Sequence, residues 1–120
     1  MKIFSISLVL VLTLVLSAFS FAAGMEKGDF VVSGASEGYR LNTGTGDRIH
    51  TEVITFATEF KSTPKVIATL TGFDATSEEN GPVRIAVMVE KVTKAGFVLK
   101  VKTWGKSTVG AVWGSWLAFE

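Results

Sequence analysis

From Asp29 onward the chain alternates short apolar runs with polar, glycine-marked gaps. No apolar stripe of helical 3.6-residue period follows the first two dozen residues. The runs are rich in Val, Ile, Thr and Phe, the residues that fit a pleated, half-buried surface. The pattern predicts strands near Asp29–Ser33, Ile49–Phe56, Lys65–Phe73, Val83–Val92, Gly96–Trp104 and Val109–Phe119. Six short strands separated by turn signals predict an all-β fold, a six-stranded antiparallel β-sandwich. Inside two runs the alternation is sharp. Val83, Ile85, Val87 and Val89 share one face, and Arg84, Ala86, Met88 and Glu90 the other. Phe97, Leu99, Val101 and Thr103 oppose Val98, Lys100, Lys102 and Trp104. Trp113 and Trp116 are three apart in the last run and so face opposite ways; Trp116 is expected in the core and Trp113 at a second covered surface, between subunits.

The gaps carry turn chemistry. Thr93-Lys94-Ala95-Gly96 suits a hairpin, and Asn80-Gly81-Pro82 closes a longer acidic loop from Asp74. Arg40–Arg48, with Asn42, Thr43, Gly44, Thr45, Gly46 and Asp47, reads as a flexible, exposed loop.

The first residues change the picture of where this domain works. Lys2, an apolar stretch over Ile3–Leu16 and the small residues Ser17–Gly24 have the order of a secretory signal peptide, assigned to residues 1–22, with Ser20 and Ala22 at the −3 and −1 positions. The apolar stretch is short for a membrane span and no basic stop-transfer cluster follows it. The expectation is a secreted, extracellular chain of about 98 residues with no membrane span after cleavage, forming one globular unit. Within it, residues 23–46 supply the N-terminal strand and the glycine-rich loop, and residues 47–120 the rest of the domain.

Composition narrows the chemistry. Without Lys2, eleven basic residues balance eleven acidic ones, and no basic tract is present, which argues against nucleic acid as a partner. Cysteine is absent and His50 is the single histidine, so no ordinary metal site and no cofactor are expected. Glu78 and Glu79 offer a carboxylate pair of the kind that hydrolyses glycosides, but adjacent glutamates in a polar loop are normally solvated charge. No hydroxyl nucleophile has a recognisable base beside it, and Gly44-Thr45-Gly46 lacks the strand-to-helix setting of a phosphate loop. Catalysis is not expected. Binding is: Trp104 stands at a strand end on the side away from the core, where an indole can cover the apolar C–H face of a sugar. Arg84 can donate several hydrogen bonds to hydroxyls, and Asp47, in the glycine-rich loop, can accept from two vicinal ones.

These residues sit within a broader resemblance. Ile54-Thr55-Phe56, Phe60 with Pro64 and Val66, Asp74, Arg84-Ile85-Ala86-Val87, Thr93 with Gly96-Phe97, Thr103-Trp104 and Ser115-Trp116-Leu117-Ala118 occur in the order seen in H-type lectins, agglutinins similar to the C-terminal lectin domain of the discoidins. The similarity runs from about Asp47 to Phe119. It implies a six-stranded sandwich assembled as a homotrimer that binds glycans ending in galactose or N-acetylgalactosamine at clefts between protomers. It implies, further, that Asp47, Arg84 and Trp104 are the carbohydrate-binding residues. The chain departs from the family pattern at Gly105, at Lys106, where Asp or Asn is common, and at Gly110, where some members place an aromatic. A non-catalytic structural or adhesive module that recognises protein is the alternative reading.

Overall fold

A computed structural model describes residues 24–78 and 80–120. The signal peptide expected at residues 1–22 lies outside the described residues, as does Glu79. All six expected strands are present: β1 (Met25–Ser33), β2 (Arg48–Thr55), β3 (Lys65–Ser77), β4 (Ala86–Glu90), β5 (Gly96–Thr103) and β6 (Ser107–Phe119). They form two three-stranded antiparallel sheets, ordered β1-β6-β3 and β2-β5-β4, which pack face to face as a sandwich. Among the described residues no helix is long and apolar enough to cross a membrane.

The alternation read in β5 holds at every position: Phe97, Leu99, Val101 and Thr103 are buried and their neighbours half-buried. They face Phe30 and Val32 of β1 and Val109, Val112, Trp116 and Ala118 of β6 in one continuous core. Away from the β5–β6 turn the core is aromatic. Phe56, Phe60, Phe97 and Trp116 contact one another with centroids 4.9–5.9 Å apart, in tilted and edge-to-face arrangements. The two C-terminal tryptophans divide as their spacing requires, Trp116 into the core at 7% exposure and Trp113 on the outer face at 37%.

Three boundaries differ from those expected by three residues or more. β1 begins at Met25, because the edge strand pairs Met25–Gly28 with Trp116–Phe119 although these residues carry little apolar alternation. β3 runs past Phe73 to Ser77; register shifts at Leu70/Gly72 and Asp74/Ala75 break the period of two that would have marked it. β4 starts only at Ala86, so Val83, Arg84 and Ile85 are not in a strand. Arg84's backbone N–H donates to Ser107 Oγ (2.9 Å) and its carbonyl accepts from Thr103 Oγ1 (2.7 Å), side chains taking the place of a ladder.

Candidate functional site

The loops joining β1 to β2, β3 to β4 and β5 to β6 gather at the end of the sandwich where β5 turns into β6. That turn is only Trp104-Gly105-Lys106, and Gly105 has φ of +68°, a left-handed conformation that a side chain disfavours. Its carbonyl accepts a hydrogen bond from Gly46 N at 2.9 Å, which pins the glycine-rich loop against the turn.

The loop of residues 40–48 is therefore not the loose segment expected from its composition. Leu41 is fully buried, and its carbonyl accepts from Val109 N at 2.9 Å. Arg48, only 8% exposed, places its guanidinium inside the loop and donates to the carbonyls of Gly46 (3.0 Å), Thr43 (3.0 Å), Gly105 (3.2 Å) and Leu41 (3.4 Å). One planar five-donor group thus supplies a donor to the carbonyls of Gly46 and Thr43 and a second donor to those of Leu41 and Gly105, which already accept backbone N–H groups. Tyr39 adds a bond from its hydroxyl to Val109 O, and burial pushes its phenol above the ordinary value of 10.0.

On this frame the three sequence-predicted residues come together. Asp47 is exposed just before β2, and its Oδ2 lies 3.3 Å from Lys102 Nζ. Lys102 Nζ is 5.9 Å from the centroid of the Trp104 ring, and Arg84 Cζ is 6.0 Å from it. The sequence Asp47–Lys102–Trp104–Arg84 is thus a continuous polar and aromatic strip drawn from three separate parts of the chain. Arg84 is exposed on a coil segment rather than on the strand face expected for it, held by the two buried hydroxyls of Thr103 and Ser107. Ser107 Oγ in turn donates to Pro82 O at 3.3 Å.

Lys102, Arg48, Thr103 and Ser107 were not singled out from the sequence as part of this region. A signal existed for one of them: Thr103 is the lone hydroxyl completing the apolar face Phe97-Leu99-Val101, a place where a polar group needs a buried partner. Arg48 carried no such mark, because a basic residue at the edge of a polar loop is ordinarily solvated. Lys106 points its ammonium to Glu78 Oε2 at 3.4 Å, both side chains well exposed. That contact engages Glu78, one of the two carboxylates considered for hydrolysis. His50 is buried, with Nε2 2.8 Å from Glu52 Oε1 and its ring 5.5 Å from that of Tyr39. Among the described residues no group of three His, Cys, Asp or Glu side chains is arranged to hold a metal ion.

The family model described as the H-type lectin domain matches residues 51–119. The chain is similar to the protein called ATP synthase subunits region ORF 7 of Fuscovulum blasticum, with 31% identity over 98 residues that cover 81% of this chain and 84% of that one. It is also similar to solved structures of discoidin II of Dictyostelium discoideum. Recombinant discoidin II superposes with a TM-score of 0.68 at 31% identity, covering 80% of this chain. The wild-type protein superposes with the same score and identity over 82%. The chain spans 37% of the length of discoidin II.

Proposed function

The chain belongs to the H-type lectin family, a non-catalytic carbohydrate-binding domain, and from that premise we propose that it recognises glycans ending in galactose or N-acetylgalactosamine through Asp47, Arg84 and Trp104. In this reading the protein is secreted and works as a homotrimer with its sites at the clefts between protomers. The observation that carries it is the convergence of the three residues, remote in sequence, on one strip in which Lys102 links Asp47 to Trp104. Each has a distinct task. Trp104 offers an apolar plate with little rotamer entropy to lose. Arg84 donates to sugar hydroxyls from a backbone clamped on both sides. Asp47 accepts from a vicinal pair.

A trimer is supported by the outer face of the β1-β6-β3 sheet. Val31 is 67% exposed there and is the register partner of Trp113, whose ring lies over Gly72. Solvent-facing apolar side chains in adjacent strands are the kind of surface that a neighbouring protomer covers. Single-site sugar contacts are weak, and several sites on one assembly raise avidity by about 10²–10⁴ when geometry allows simultaneous engagement.

A glycan array with the folded mature protein tests the reading. Galactose-terminated glycans are expected to bind, and Arg84→Ala to abolish that binding with the circular dichroism spectrum unchanged. An array with no bound glycan of any kind refutes it. Capture of a protein partner that is indifferent to free galactose and to Trp104→Ala would favour the protein-recognising module instead.

A further inference from the structure

We infer that the site takes an acidic sugar, a galactose-type residue bearing a sulfate ester or a carboxylate, and that Lys102 is the residue that selects it. The inference rests on the proposed reading of the Asp47–Arg84–Trp104 end as a sugar site and adds the charge of the ligand.

Among the described residues, not every cation at the strip is answered by a carboxylate. Asp47 is paired with Lys102, and Glu78 with Lys106. Beside the strip and beneath its loop, Arg84 and Arg48 have no carboxylate partner among the described residues. Arg48 matters most here. Its hydrogen bonds all go to neutral backbone carbonyls, which satisfy its donors without cancelling its charge. Buried beneath the loop, that charge is screened less than one in open solvent. Arg84 and Lys102 both stand about 6 Å from the indole centroid, so a ligand seated against Trp104 meets two cations.

The Asp47–Lys102 pair gives the preference a mechanism. A neutral sugar that uses Asp47 as acceptor must compete with the ammonium already 3.3 Å from Oδ2. An anionic substituent draws that ammonium to itself, and the carboxylate is freed for the sugar hydroxyls. Both partners are partly exposed, Lys102 at 35% and Asp47 at 72% of the side chain, so the exchange requires no buried charge to be stripped of its partner. The same overall neutrality that argues against nucleic acid is compatible with this, because Arg84 and Lys102 stand together beside one indole.

Calorimetric titration of the intact protein with galactose, galactose 6-sulfate and galacturonic acid tests the assignment, at low ionic strength where exposed charges are least screened. Either or both acidic sugars are expected to bind about five- to tenfold more tightly than galactose. A preference for one alone identifies the anionic group as sulfate or carboxylate. The ratio falls to about one in Lys102→Gln and is retained in Lys102→Arg, which keeps the charge. A wild-type ratio of about one, with galactose itself bound, overturns the inference and leaves the lectin reading standing. A ratio that survives in Lys102→Gln, or is lost equally in both variants, also overturns it. If none of the three sugars binds, the proposed galactose site falls together with the inference.

Discussion

Arg48 shows how a single residue can make a loop that its neighbours do not specify. Three glycine and threonine positions, Gly44, Thr45 and Gly46, have no strong conformational preference of their own, yet the segment is closed by four bonds to one guanidinium. Removing it leaves the carbonyls of Thr43 and Gly46 without their donor and takes one of two donors from those of Leu41 and Gly105, each bond to the charged group contributing on the order of 1–3 kcal/mol. Arg48→Met is expected to destabilise the fold by about 2–4 kcal/mol, read from the shift of the urea midpoint. It should also weaken sugar binding, since Asp47 and Gly105 lose the loop that fixes them. Thr103 and Ser107 do comparable work for Arg84: both are fully buried, and both end at backbone atoms of the Pro82–Arg84 segment. Position in the folded chain, not residue type, makes these side chains part of the site.

At the scale of elements, β6 is the member on which the sheet depends, because it pairs with β1 along one edge and β3 along the other. Gly114 lies at its centre. A Cβ there would meet Thr69 O of β3 at 2.0 Å and the ring of Phe30 at 2.6 Å. Carbonyl oxygen fixed in a ladder cannot give way as the end of a flexible side chain can. Gly114→Ala is expected to cost about 2–4 kcal/mol and to lower the thermal midpoint accordingly, the range of overpacking with backbone displacement. A stability equal to wild type would mean that β3 and β6 are not held in this register. The opposite sheet contributes differently. β5 supplies the most regular alternation in the molecule and ends directly in the Trp104–Lys106 turn, so core packing sets where the indole emerges.

For the whole molecule, the outer face of the β1-β6-β3 sheet carries the apolar Val31–Trp113 row that the proposed homotrimer would cover. Light scattering on the mature protein is expected to return three times the mass of one chain. A mass equal to a single chain would contradict the homotrimer and take the between-protomer cleft with it, while the strip on one protomer would remain. With no cysteine to cross-link it, a domain of this size relies on the packing of its core for stability.

What the amino-acid sequence determined by itself was whatever depends on local periodicity and residue type. Six strands and their approximate places follow from alternation, most clearly in Phe97–Thr103, because the period of two makes each side chain choose a face. The same rule separated Trp113 from Trp116. Asp47, Arg84 and Trp104 were legible as chemistry, each a residue type suited to a sugar and placed outside the core pattern, and the family resemblance gathered them into one expectation. Their neighbours were not legible. β3 hid its second half behind two register shifts, and β4 was overextended because Val83–Ile85 keeps an apolar rhythm while its backbone bonds go to side chains. The loop at residues 40–48 looked free because no local pattern announces a buried arginine. Lys102 was one of several basic residues on a strand until the fold set it between Asp47 and Trp104. Ion pairs and braced loops join residues far apart in the chain, so only the tertiary structure decides which charges are already answered and which remain for a ligand.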